Sequence, residues 1–256
     1  MNKFLIVPFA IILIGAVTAK AASDDPTATP YRPTVSTPAN LSEPGWLELE
    51  TGGQHAKGGE SAKRDSLPTT LKYAFTPDWG IRVGGDALVR QKNADGSTLS
   101  GLGDTAVILK RRFALDENTA FGLEGGVNLP TAKDGLGSGK TDYLVTGIYS
   151  ANLGVYHTDL NLSATRLGQI GDGESRLQTA WAASLSRPLG ETWGIAGELS
   201  GTYRKGAPST AQFLVAASHN YSKRIVFDAG TAVGLNRTSP DWTVFAGMTM
   251  LIGKIN

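Results

Sequence analysis

The sequence predicts an all-β protein, a transmembrane antiparallel up-and-down β-barrel of about 12 strands. Three observations carry the prediction. From Trp46 to the C-terminus apolar and polar residues alternate, which on a strand means one apolar and one polar face. Most alternating segments run for about ten residues, the reach of a tilted membrane-spanning strand. The connections between them alternate long and short, as the loops and turns of an outer-membrane barrel do.

In chain order, residues 1–21 read as a secretory signal peptide. Lys3 gives a positive start, and Phe4 to Val17 form an apolar run too short for a typical transmembrane helix. Ala19-Lys20-Ala21 fits a small-x-small cleavage site, so the mature chain begins at Ala22. Residues 22–45 are rich in Pro, Thr and Ser and have little to bury; they predict a flexible periplasmic leader, with residues 46–256 forming the barrel. The absence of Cys excludes disulfides, thiolate metal sites and a lipid-modified cysteine anchor. A net charge of +1, with Lys and Arg scattered, excludes a nucleic-acid-binding surface. The 32 glycines are well above the ~7 % average, but they lie within patterned segments and so belong to strands.

The alternating segments fall near 46–54, 67–75, 80–90, 104–114, 120–129, 142–152, 153–166, 175–187, 193–204, 210–221, 223–235 and 242–253. In "AFGLEGGVNLP", Phe121, Leu123, Val127 and Leu129 share one face, with Gly122, Glu124, Gly126 and Asn128 on the other. "VYHTDLNLSATR" sets Tyr156, Leu160 and Leu162 against His157, Asp159, Asn161 and Ser163. "WGIAGELSGTYR" sets Ile195, Leu199 and Tyr203 against Glu198, Ser200, Thr202 and Arg204. Residues 55–66, 91–103, 130–141 and 167–174 are the long outer loops, and 76–79, 115–119 and 188–192 are short periplasmic turns. Phe75, Trp79, Phe113, Phe121, Trp193 and Tyr221 fall at the turn end, as an interfacial aromatic girdle would.

This layout decides the reading of "LPTAKDGLGSGKTDY". Its Gly139-Lys140-Thr141 resembles a phosphate-binding loop, but Asp134 stands where the first glycine belongs and a strand follows instead of a helix. The glycines shape the third outer loop.

A closed barrel encloses Arg82, Asp86, Arg90, Lys110, Arg112, Glu124, His157, Asp159, Glu198, Arg204 and Asp228, together with Glu48, Glu50 and Lys72. Both signs are present, so the lining predicts ion pairs that narrow or close the lumen, not a single-sign selectivity ring. Arg82, Arg90, Lys110 and Arg112, on two adjacent strands, are the candidate solute-facing patch. His157, Asp159, Asn161 and Ser163 are catalytic residue types, but they are strung along one strand, about 6–7 Å between same-face neighbours. A nucleophile and its base need hydrogen-bond reach, so no catalytic residue is assigned and no enzyme is predicted. The three histidines do not cluster, and no metal or cofactor is expected.

One block resembles a known family. "GLGDTAVILKRRFALDENTAFGLEGGVNLPTAKDGLGSGKTDY" is similar to the outer-membrane transporter family named for the meta-pathway of phenol degradation. The residues that carry the likeness are Gly101, Gly103, Asp104, Lys110, Leu129, Pro130 and Thr131, followed by the glycines at 135, 137 and 139. The resemblance implies a Gram-negative outer-membrane transporter or channel for small, hydrophobic or aromatic solutes. The implied partners are outer-membrane lipid and lipopolysaccharide, the barrel-assembly machinery and a small apolar or aromatic solute. The chain ends in "MLIGKIN" without a terminal aromatic, so assembly recognition is expected to rest on Phe245 with Val244, Ala246, Met248 and Met250. Two alternatives stand beside transport: a closed structural or surface-interaction barrel, and a lipid-modifying outer-membrane enzyme.

Overall fold

The computed structural model describes residues 26–255; the expected signal peptide and the start of the leader lie outside the described residues. The strands are β1 (Trp46–Gly58), β2 (Lys63–Ala74), β3 (Trp79–Lys92), β4 (Thr98–Gly101), β5 (Thr105–Ala114), β6 (Thr119–Leu129), β7 (Asp142–Leu153), β8 (Tyr156–Arg166), β9 (Leu177–Leu189), β10 (Trp193–Arg204), β11 (Thr210–Ser222), β12 (Ile225–Gly234) and β13 (Pro240–Lys254). No helix occurs among the described residues. Successive wall strands pair antiparallel, and β13 pairs back onto β1 from Trp46↔Lys254 to Gly58↔Pro240. That closure leaves no free sheet edge. The short β4 folds back on the outer end of β3, Lys92↔Thr98 to Val89↔Gly101, so the wall itself has 12 strands.

The outward face is apolar around the whole barrel. Leu71, Leu109, Leu123, Val145, Leu160, Leu185, Leu199, Val215 and Phe227 are all exposed. Such a continuous apolar band far exceeds the few hundred Å² that a water-soluble monomer shows, and it suits a bilayer. At the turn end Trp79, Phe121, Trp193 and Tyr221 are exposed, as a girdle requires.

Two expectations change. The first outer loop, expected over 55–66, is mostly strand: β1 and β2 stay paired out to Lys57↔Lys63, leaving a hairpin of residues 59–62. In addition, Ser66 pairs with Val89 and Pro68 with Asp86, which gives β3 one extra residue and makes a bulge. A one-residue slip moves every later side chain to the other face. Arg82 and Asp86 therefore point inward, but Arg90, predicted to line the lumen, lies on the outer face, exposed and paired in register with Asp65. Phe245 faces inward against Leu214, Ala216 and Ala232, while its neighbour Val244 is exposed on the outer face.

The leader departs most from expectation. Residues 26–45 enter at the turn end beside β12, rise into the lumen and return to begin β1. Ala28 donates its N–H to the Lys223 carbonyl (2.8 Å) and packs on Val226 and Leu251, while Ala39 packs on Ala120 and Ile148. Composition correctly says that this segment cannot build a core of its own; the barrel wall supplies one.

Candidate functional site

The lumen owes its charge to the alternation of each strand, which sends Glu48 and Glu50 of β1, Lys72 of β2, Lys110 of β5, Glu124 of β6, Glu198 of β10 and Asp228 of β12 inward. Glu48 is 0 % exposed, Glu124 and Glu198 1 %, and Lys110 2 %, so each needs a partner. The leader provides many of them. Thr29 and Tyr31 donate backbone N–H groups to Glu48 (2.8 Å) and Glu50 (2.6 Å). Lys72 bridges the same carboxylates at 2.5 and 2.7 Å and donates to the Thr29 carbonyl. Arg32 makes a two-pronged pair with Asp228, Nε at 3.0 Å and Nη2 at 2.8 Å. Gly52 and Gly247 make room for it, because a Cβ on either would stand 2.7 or 2.6 Å from the Arg32 Nη2.

Further along, the Val35 and Ser36 N–H groups both donate to Glu198, at 3.0 and 2.7 Å. Asn161 exchanges hydrogen bonds with the backbone of Thr37, at 2.8 and 2.9 Å. Ala39 donates to the Ser150 hydroxyl (2.8 Å), Lys110 to the Pro38 carbonyl, and Arg112 to Asn40 (3.0 Å). The ammonium groups of Lys72 (3.8 Å) and Lys110 (4.2 Å) both lie over the Tyr31 ring, two cation–π contacts to one aromatic. The hydrogen bonds to Glu48, Glu50, Glu198 and Asp228 are charge-assisted, roughly twice as strong as neutral ones. The segment is a plug bound by its backbone, seated in the turn-end half of the barrel.

The proposed basic patch does not survive as a unit. Arg82 and Lys110 both turn to Glu124, at 2.9 and 3.5 Å, Arg112 holds the leader and Arg90 is outside. The remaining candidates scatter. Asp86 pairs with Arg64 near the loop end (2.9 Å), and Arg204 reaches Glu174 in an outer loop (2.8 Å). His157 contacts Asp159 (3.2 Å) and Asn152 (2.7 Å). Asp159 accepts from Ser150, so the carboxylate sits between the hydroxyl and the imidazole, the reverse of a nucleophile–base–acid relay. Ser163 bonds to Thr146 instead (2.8 Å).

Two cavities lie along β8–β11, on either side of the leader. The one toward the loop end is about 230 Å³, lined by Val35, Asn161, Ser163, Ser200, Thr202 and Gln212. The one toward the turn end is about 400 Å³, lined by Thr34, Pro38, His157, Asp159, Ser186 and Asn220. Residues 35–37 separate them, tied down by Glu198 and Asn161. The residues missed in the sequence are thus Tyr31, Arg32 and Asn40 of the leader. A signal for them existed: Glu198 and Asp228 have no lumen cation on a neighbouring strand, while the leader holds one Arg.

The family-motif residues form a separate clasp at the loop end. Asp104 accepts from the Ser138 N–H (2.6 Å), the Ala132 N–H (3.1 Å) and the Asn128 amide (3.2 Å), binding the third outer loop to the wall. Thr131 meets Thr105 hydroxyl to hydroxyl (2.8 Å). Gly137 is needed there, since a Cβ would lie 2.3 Å from the Asp104 Oδ1. Lys110 of the same motif belongs to the plug instead. Partial burial pushes the Asp104 carboxyl up, but the donors from Ser138, Ala132 and Asn128 outweigh it and hold it below the usual aspartate value. A depressed folded-state pKa stabilises above the ordinary value and is lost as pH falls through the lowered one. Protection of the amides over 131–140 against hydrogen exchange, taken relative to the intrinsic rate at each pH, is therefore expected to be high at neutral pH and to fall in acid below the usual aspartate range. Asp104→Asn should give the low protection at all pH values; unchanged protection in that variant would remove the clasp.

No protein-family model and no curated protein matches the sequence. Solved structures do match. An outer membrane channel from Pseudomonas putida F1 superposes with a TM-score of 0.66 at 14 % identity, over 91 % of this chain and 100 % of that one. The NanC porin gives 0.60 at 6 % identity, over 80 % and 100 %. The KdgM porin gives 0.54 at 14 %, over 80 % and 99 %. At these identities the likeness is one of fold, and the chain has the fold of an outer-membrane β-barrel.

Proposed function

We propose that this protein is an outer-membrane channel for small solutes, closed at rest by its own leader. The observation that carries the reading is the pair of cavities in one lumen, separated by three leader residues held through only two wall side chains. The upper cavity is lined by hydroxyl and amide groups without a formal charge, which suits neutral solutes with a hydrogen-bonding group, phenolic compounds among them. The resemblance to the phenol-degradation transporter family and the fold shared with porins and channels support the same reading. The second reading, a structural barrel, draws on the many hydrogen bonds that tie the leader to the wall.

Glu198→Gln separates the two. An amide offers one acceptor oxygen where the carboxylate offers two, so one of the Val35 and Ser36 N–H groups loses its partner, at a cost of about 1–3 kcal/mol. In planar bilayers the variant is expected to open about tenfold more often than the wild type, in line with that loss. Silent, correctly folded variant and wild-type barrels would favour the structural reading.

A further inference from the structure

The outer face of β1–β3 carries an unusual row near the loop end. Lys57 pairs in register with Lys63, and Lys63 with Lys92. In the row below, His55 pairs with Asp65 and Asp65 with Arg90. The parity of β1 and β2, and of β3 beyond its bulge, puts all six side chains on the lipid-facing side. Lys57, Lys63, Lys92 and Arg90 are exposed and make no hydrogen bond or ion pair among the described residues. Neighbouring strands are about 4.8 Å apart, so three ammonium groups share a span of about 10 Å. Like charges directly opposite on paired strands are destabilising. The acid within the patch, Asp65, is held by His55 Nδ1 at 2.5 Å, and His55 packs on Trp242. Glu60 in the hairpin and Asp241 beside Gly58 form no ion pair with the row among the described residues.

The height of the row matters as much as its charge. Leu67 and Leu88, next toward the barrel's middle on β2 and β3, are exposed and apolar, so the cations stand at the upper edge of the lipid-facing band, level with Trp242. Elsewhere the loop-end outward positions are Leu129, Tyr143, Leu177, Tyr203 and Leu235, with Arg166 the lone cation among them. Among outward-facing strand positions, the cations are therefore concentrated on one side of the rim.

We propose that Lys57, Lys63, Lys92 and Arg90 form a docking surface for the phosphate groups of outer-leaflet lipopolysaccharide. The assignment rests on the outer-membrane reading above. Phosphates at headgroup level relieve the repulsion within the row through charge-assisted hydrogen bonds, while the acyl chains lie against Leu67 and Leu88. A phosphorylated lipid anchored in the same plane is the occupant that fits both features.

The test titrates lipopolysaccharide, intact or dephosphorylated, into the mature refolded protein and into the variant K57Q/K63Q/K92Q, whose changes are all at exposed positions. At about 1 kcal/mol per Lys before screening, the variant should bind the phosphorylated lipid at least about tenfold more weakly. Both proteins should bind the dephosphorylated lipid alike, Arg166→Gln should behave as wild type, and inorganic phosphate should not compete. Equal binding of phosphorylated lipid by wild type and variant would overturn the site, and competition by inorganic phosphate would overturn the lipid as its source. Heat-modifiable migration in gels reports barrel folding separately. A chain that never inserts into lipid as a barrel would instead overturn the outer-membrane reading, and this surface with it.

Discussion

Deleting residues 26–43 is expected to turn a barrel that rarely conducts into one that is continuously open, with a time-averaged conductance at least about tenfold higher. The leader fills the turn-end half of the lumen with Tyr31, Arg32 and the packed Ala28 and Ala39. The wall does not depend on it, since all twelve strands are joined by an unbroken ladder from β1 round to β13. The carboxylates left behind are Glu48, Glu50, Glu198 and Asp228. The first two keep Lys72, and water reaching an open lumen solvates the others, so the barrel survives with lower stability. The unplugged lining is richer in free carboxylate on β10 and β12, so the open state should favour cations. Planar-bilayer recording at two salt gradients reads conductance and selectivity together. A deleted form that folds yet stays as closed as the wild type would show that side chains of the wall, not the leader, block the path.

Breaking the Arg32–Asp228 pair should undock the leader without removing it. Asp228 is 3 % exposed at its side chain and Arg32 16 %, so Arg32→Met leaves a buried carboxylate unpaired. Loss of one partner of a buried pair costs about 3 kcal/mol, a shift of about a hundredfold in the docking equilibrium. Because the chain has no Cys, Ser36→Cys introduces a single thiol at a position that is 0 % exposed. Labelling of that thiol by a water-soluble reagent should accelerate by about a hundredfold in the Arg32→Met background. Adding Asp228→Leu should recover much of the protection, because two apolar side chains leave no charge behind. An unchanged labelling rate in Arg32→Met would mean that the Glu198 and Asn161 bonds alone keep the leader in place.

The barrel was legible because its cause is local. Alternation at Phe121–Leu129 or Tyr156–Arg166 depends only on which residues sit two apart, and the strand pitch converts that spacing directly into two faces. Lumen positions of Lys110, Glu124, Glu198 and Asp228 follow from parity alone. Arg90 shows where parity fails: one extra residue in β3 reversed it, and nothing in "GGDALVRQK" marks the bulge except its pairing with Pro68 across the sheet.

The leader lay beyond any local rule. Its Pro- and Thr-rich composition forms no periodic pattern and no core, so read alone it is a solvated tail. Within the barrel the same lack of secondary structure becomes useful, because the N–H groups of Thr29, Tyr31, Val35, Ser36, Thr37 and Ala39 remain available for carboxylates, an amide and a hydroxyl on four different strands. By itself the sequence determined the twelve-stranded wall, its two faces and the charge sent inward, all of which depend on neighbours within a strand. Whether those charges would meet solute, water or chain was decided only by the tertiary structure. Closure of β13 onto β1 brings β1, β7, β8, β10 and β12 around one space, and a segment from outside the pattern satisfies them all.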